Sequence, residues 1–529
     1  MSTDAAAHSG ASANTETIGL WNIAAETPER LAVVDPDGTE ISYATLAAKA
    51  DAYACGLREL GLSTGDVVVV LQPNGVELLA AYFAAIQSGL YVVLVNWHLV
   101  GPEVAYIITD SGAKAFLAHE RFAGIAVAAA DEAGLPGTAR FAVGDVPGFT
   151  DIARLGEGTQ GRPADRTAGS PMLYTSGTTG RPKGVRRPLT GQDPDAVPAA
   201  STWFFGIFGL RQGDGHVHLC GSPLYHTAVL NFVAISVQLG HSVVLMDRWD
   251  AEDMLALIER HRVTHSHMVP TQFRRLLALP EEVRARYDVS SLRAMIHGAA
   301  PCPQEIKRRM LEWWGPVVIE YYAATEGGGT AIGGEEWLRK PGSVGKPWPG
   351  SVVKILDDSG SELPPGQTGT VYLRMGGSSF EYHKDKAKTE KARVGDLFTL
   401  GDVGYLDEDG YLFLHDRKND MIISGGVNIY PAEIENELVL HPKVGDAAVF
   451  GVPHPDWGEQ VKAVVQPAEG VEPSEELTQE LLAYAASRLA KFKLPRSVDY
   501  VELLPRDPNG KLYKRRLRDP YWRDHGSAI

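Results

Sequence analysis

YTSGTTGRPKG, residues 174–184, packs three glycines, three threonines, a serine and a lysine into eleven positions. Gly177, Gly180 and Gly184 let the backbone turn with positive φ or approach a ligand closely, which side-chained residues resist. Thr175, Ser176, Thr178 and Thr179 add hydroxyl donors, and successive backbone N–H groups in such a loop can form an anion-binding concavity. Lys183 adds a mobile positive charge suited to phosphate. The preceding PMLYT reads as a strand feeding the loop. The stretch is therefore read as a phosphate cradle at a sheet edge, not as the plain turn that Gly, Ser and Thr usually signal. It is not a Walker A loop, since Pro182 precedes the lysine and Gly184 follows it, where that motif has a lysine opening a helix. An ordinary P-loop kinase or ATPase is disfavoured.

Outward from the cradle, strand-like and helix-like runs alternate. DVVVVLQ (66–72) is a buried-strand run, GVELLAAYFAAIQSG (75–89) carries helical spacing and stops at glycine, and YVVLV begins the next strand. A helix over 103–110 and a strand AKAFLA follow, and beyond the cradle HVHLC and SVVLM flank an apolar helix near 227–240. Such repetition implies right-handed crossovers and a parallel sheet covered by helices. Residues 351–415 read instead as a small β subdomain of short alternating strands, with DEDG (407–410) as a hairpin turn. From 420 onward β and α alternate again, with a long helix near 475–490 and a final strand. A chain of 529 residues needs more than one core.

Composition excludes several classes. A net charge of −16 argues against non-specific nucleic-acid binding, which needs a basic surface. It leaves room for ATP, because an anion site depends on local donors. Cys55, Cys220 and Cys302 are too far apart for a disulfide framework or a zinc site. The N-terminal MSTDAAAHSGASANTET lacks a secretory n- and h-region and reads as a disordered tail over 1–17. No integral membrane segment is evident, and a cytoplasmic location is the expectation. His216 and His218 alternate onto one strand face. His261, His265 and His267 sit on a helix end and a following strand, so a structural role is favoured over metal ligation.

The cradle string resembles the signature loop of the adenylate-forming superfamily: acyl-CoA synthetases, luciferases and the adenylation domains of peptide synthetases. Further motifs in family order extend the resemblance over nearly the whole chain. It implies an α/β fold: a large N-terminal domain, 18–417, of parallel-sheet subdomains plus a small β-barrel-like subdomain. A small mobile α+β C-terminal domain, 418–529, would carry the catalytic lysine. In the family the loop holds the departing β- and γ-phosphates of ATP, which assigns Thr175 to Gly180 and Lys183 to that task. SPLYHTA (222–228) resembles the motif that closes the carboxylate end of the acyl pocket, with His226 as the closing residue. IHGAAP offers Gly298 and Ala299 as the adenine-binding turn. EYYAATE resembles the motif in which Tyr322 stacks on adenine, Thr325 donates to the α-phosphate and Glu326 ligates Mg²⁺, with Thr175 as a second metal ligand; oxygen donors suit a hard cation. In LGDVGYLDEDGYLFLHDRKNDMI (400–422), Asp402 resembles the aspartate that accepts from both ribose hydroxyls, and Arg417 the arginine reaching ribose or phosphate. SGGVNIYP places Ser424, Gly425 and Gly426 on the CoA tunnel. LPRDPNGKLYK places Lys511 as the catalytic lysine, while Lys514, Arg515 and Arg516 read as a solvated basic tail.

Departures from the family pattern carry expectations of their own. Asn419 stands where a hinge Lys or Asp is usual, so the hinge is placed at 417–419. Ala323, Ala324 and Gly327–Gly329 leave a sparse wall beside the reacting carboxylate, implying a roomy acyl pocket. No Asp or Glu occurs between Gly215 and Met246, so a substrate ammonium would lack a partner, and burying such a cation is costly. An α-amino acid is therefore disfavoured as substrate. The resemblance implies an AMP-forming acid–thiol ligase using ATP, Mg²⁺ and CoA on a medium- or long-chain fatty acid or a bulky hydrophobic acid, and a homodimer is a further expectation. An adenylating enzyme without CoA use and a non-catalytic acyl or nucleotide sensor are the alternatives. A peptide-synthetase module would need a carrier domain for which the chain has no room.

Overall fold

The computed structural model describes residues 17–529 apart from 160, 176–182, 214, 324–327, 377–380, 383–389, 391, 419, 507–511 and 524–529. Three sheets carry the architecture. The first is entirely parallel, in the order Thr150–Asp151, Arg140–Val143, Ala113–His119, Val67–Leu71, Tyr91–Leu94, Ser170–Pro171. Its middle strand VVVVL is buried along its whole length, as β-branched residues covered on both faces require. Helix Val76–Gln87 packs on it through ten buried residues and ends just before Gly89, whose φ is 66°.

The second sheet has Glu40–Ser42 as an antiparallel edge and then a parallel run: Leu31–Val34, Ser242–Leu245, Val217–Cys220, His265–Met268, Ala294–His297 and Val318–Ala323. Helices between these strands are fixed by local chemistry. Asp250 caps Ala251–His261 by accepting from the backbone N–H of Glu252 and Asp253. Beyond Val318–Ala323 the sheet turns antiparallel through Gly329–Ile332 and Ser343–Pro347. It then continues into the strands Leu412–Arg417, Asp402–Leu406 and Gly369–Met375. The expected β subdomain is present and shares Ser343–Pro347 with the central sheet.

Residues after Arg417 build a separate sheet around the long hairpin Val444–His454 and Gly458–Pro467, flanked by Ile422–Ser424, Val427–Ile429 and Ser497–Tyr500. Helices Pro431–Leu438 and Glu475–Ala486 cover it. One element departs from the sequence reading. Lys514–Trp522 is a helix, not a tail. It docks on the hairpin through the Phe450 and Tyr521 rings, 6.0 Å apart, and a Trp522 indole N–H donating to the Gly451 carbonyl.

Candidate active site

Parallel strands of an α/β sheet open ligand crevices at their carboxyl ends, and the Gly298 turn lies there. Gly298 follows strand Ala294–His297, which runs beside Val318–Ala323 with His297 opposite Glu320. A Cβ on Gly298 would sit 2.8 Å from the Tyr321 ring and 2.9 Å from its carbonyl, so only glycine lets the two strands close up here. Ala299 takes φ of 66°, one of two non-glycine residues with positive φ among those described. Such strain persists where surrounding structure holds it, often at functional turns. Beneath the turn, Lys307 is fully buried with its ammonium 2.6 Å from Glu320 and 4.9 Å from the Trp337 ring centre. Sequence reasoning missed this pair. A lone glutamate in the apolar run VVIEYY was the available signal, because a buried carboxylate demands a partner.

Next along the strand, the Tyr322 hydroxyl donates to Asp402 at 2.5 Å, across 80 residues of sequence. Asp402 is 9% exposed and its other carboxylate oxygen lies 3.5 Å from Arg417 Nε, the two residues being cross-strand partners. The fold thus gathers Gly298, Ala299, Tyr322, Asp402 and Arg417. Residues 176–182, Thr325 and Glu326 lie outside the described residues, as do the side chains of Thr175 and Lys183, but the stem of the cradle is in place. Strands Leu173–Thr175 and Lys183–Arg186 form a hairpin with Lys183 opposite Thr175. Val185, one residue past Gly184, packs in the hydrophobic cluster against which Tyr322 lies, so strand Lys183–Arg186 runs near the Tyr322–Asp402 slot.

The opposite face is aromatic. Tyr321 donates to or accepts from His267 Nε2 at 2.9 Å and packs with Phe205, Phe208, Phe232 and Trp348. Ala323 lies against this cluster. The sparse-wall expectation is corrected at Gly329: a Cβ there would sit 2.5 Å from the Trp348 ring, so the room left by the missing side chain is filled. His218, His265 and His267 line the same layer, and burial pulls all three well below the ordinary histidine range, to about 3 for His218 and about 4 for His267. His265 is held between Ser236 and Thr264, and His218 is stacked parallel to Phe232. No group of residues with metal-ligand geometry occurs among the described residues. His226 immediately precedes helix Thr227–Gln238, half-buried, its ring 4.3 Å from that of Tyr225.

In the C-terminal sheet, Gly425 and Gly426 take φ of 57° and 80° at an exposed hairpin beside Ser424, surrounded by exposed Ile423, Val427, Trp457 and Phe492. Lys511 lies outside the described residues. Lys514 corrects the tail reading: its ammonium is 2.9 Å from Glu435 and 12% of the side chain is exposed. Burial opposes its charge, yet Glu435, Asp416 and Asp420 outweigh it and lift the amine above its ordinary value. Arg515 and Arg516 are exposed.

Residues 20–382 match the AMP-binding enzyme family and residues 433–511 the AMP-binding enzyme C-terminal domain. A fatty acid–[acyl-carrier-protein] ligase of Streptomyces coeruleorubidus is 35% identical over 84% of this chain and 85% of its own. A feruloyl-CoA synthase of an Amycolatopsis species is 34% identical over 95% and 98%. An o-succinylbenzoate CoA synthetase of Bacillus subtilis, solved with its acyl-adenylate intermediate, superposes with a TM-score of 0.78 at 29% identity, covering 94% of this chain and 97% of that one. Fold, slot and kinship define an adenylate-forming enzyme. The chain belongs to the AMP-binding enzyme family and is an AMP-forming acid–thiol ligase. No helix among the described residues is long and apolar enough to cross a membrane.

Proposed function

We propose that the protein is an ATP-dependent acid–CoA ligase acting on a hydrophobic carboxylic acid, fatty or bulky. The acid's carboxylate attacks the α-phosphorus of ATP, pyrophosphate leaves, and the resulting acyl-adenylate passes its acyl group to the thiol of CoA, releasing AMP. The observation that carries the reading is the Tyr322–Asp402–Arg417 constellation beside the closely packed Gly298 turn. It offers a flat ring wall for a base and a carboxylate for ribose hydroxyls. Phosphoryl-type chemistry needs positioning and charge neutralisation more than a protein nucleophile. The cradle amides and Lys183 would take leaving-group charge, Thr175 and Glu326 would hold Mg²⁺, and Lys511 would bridge carboxylate and phosphate oxygens where charge develops.

The hydrophobic acid is supported by the aromatic layer beside Ala323, by histidines kept neutral through burial, and by the missing carboxylates between 216 and 245. The resident domain orientation suits the first half-reaction. Arg506, five residues before Lys511, lines a crevice together with Ala300 and Pro301 of the adenine turn, while Gly425 and Gly426 are exposed. Rotation of 418–529 about 417–419 would withdraw Lys511 and bring the glycine hairpin to the site, a hinge motion serving two steps. It would also cover the apolar face of Ile423, Trp457 and Phe492, and exposed apolar patches of this kind mark contact surfaces.

Pyrophosphate release across acids from acetate to long-chain and polycyclic, followed by mass detection of products with and without CoA, tests the reading. Release confined to hydrophobic acids, with acyl-CoA formed only when CoA is present, is expected. Preference for acetate would overturn the substrate class, and acyl-adenylate that never reaches CoA would assign the thiol to another carrier.

A further inference from the structure

Asp446 opens the long hairpin of the C-terminal sheet and is only 5% exposed. Arg506 grips it twice, Nε to Oδ2 at 2.5 Å and Nη2 to Oδ1 at 3.0 Å, a planar fork on a carboxylate. Arg506 also pairs with Leu512 in an antiparallel backbone bridge. From the other side comes Arg274 of helix Pro270–Ala278, which belongs to the large sheet's layer, with Nη1 3.7 Å from Asp446 Oδ1. Pro270, Thr271 and Arg274 share the crevice wall with Ala300 and Pro301 of the adenine turn, and Asp446 and Arg506 line its opposite side. Nearly buried and in line between two guanidiniums, this carboxylate is poorly solvated, so its charge is felt more strongly than in an exposed surface pair.

We propose that Arg274 is a positioning residue for adenylate formation: by reaching Asp446 across the crevice it favours the orientation in which Arg506 lines that crevice with Ala300 and Pro301. The inference rests on the two-orientation reading above. Arg274 stays with the large sheet when the small domain rotates and Asp446 does not, so the contact exists in one orientation and contributes only to that half-reaction. A contact that favours one of two states couples to function by its differential free energy, and such couplings run to about fivefold or more.

The test compares half-reactions in the full chain, using the acid that gives fastest pyrophosphate release and its synthetic adenylate. Arg274→Met is expected to slow acid-dependent ATP–pyrophosphate exchange about fivefold or more, while thioester formation from supplied adenylate and CoA stays unchanged or rises. Arg274→Lys is expected to recover most of the exchange rate. Equal losses in both half-reactions, or no loss in exchange, would overturn the inference. A readout free of turnover uses Thr271→Cys with Asn436→Cys, on opposite walls of the crevice, bridged by a short bis-maleimide. Bridging is expected to be fast with Arg274 and slower with Arg274→Met, and absence of bridging with Arg274 present would also overturn it. Should the unaltered protein release no pyrophosphate with any acid, the ligase reading fails, whereas the bridging result still decides whether Arg274 sets the orientation.

Discussion

Two neighbouring tyrosines face opposite ways from one strand, as alternate strand residues must. Tyr322 reaches Asp402 and Arg417, a polar slot built from an adjoining subdomain. Tyr321 reaches His267 and a packed layer of Phe205, Phe208, Phe232 and Trp348. The proposed nucleotide side is a small set of directional contacts, each with one carboxylate or one close-packed glycine at its centre. The proposed acyl side is a filled aromatic layer whose histidines burial pulls well below their ordinary range. One strand therefore divides a polar slot from a packed aromatic layer.

The comparison can be broken most severely behind the nucleotide side. Lys307→Met leaves Glu320 buried without its cation, and removing one member of such a pair typically costs about 3–5 kcal/mol. A large fall in denaturation midpoint is expected, and a change within error would show that the Gly298 turn does not depend on the pair. Asp402→Asn tests the slot itself. Losing a charged hydrogen-bond acceptor removes about 1.5–3 kcal/mol, so KM for ATP is expected to rise roughly 10- to 100-fold with KM for the acid little changed. Parallel rises in both would join the two sides that the strand is said to separate.

The acyl side is sharpened by pH. His218 titrates near pH 3 in the folded chain against 6.5 in a free one. The folded state therefore binds fewer protons, and the contribution of the buried neutral ring is complete above pH 6.5 and lost as pH falls from 6.5 towards 3. His218→Phe keeps a flat ring beside Phe232 and removes that sensitivity. Relative to the unaltered protein it is expected to gain about 2 kcal/mol on going from pH 8 to pH 5. Urea denaturation at both values measures it, and identical pH dependence would place a solvated, protonatable ring in the layer.

Legibility divides along the same strand. Tyr322, Asp402, Arg417 and Gly298 stand in local motifs, so their sequence neighbours single them out before the fold brings them together. The parallel sheets were legible from uninterrupted runs such as VVVVL. What escaped was pairing between distant residues: Lys307 with Glu320, Lys514 with Glu435, and Trp348 with Gly329. Lys514 read as a tail residue since charge clusters are ordinarily solvated. Only the docking of helix Lys514–Trp522 on the hairpin buries it, and nothing local to KRRLRD announces that surface. Glycines were likewise ambiguous. Gly329 in GGG reads as empty space until a tryptophan nineteen residues on is seen to fill it.

The most direct measurement is the pair of half-reaction rates for Lys511→Ala. The account predicts a fall of about 10²–10³ in acyl-adenylate formation with thioester formation from supplied adenylate preserved. Equal loss of both steps, or retention of both, would contradict a small domain that serves the two halves of the reaction in turn.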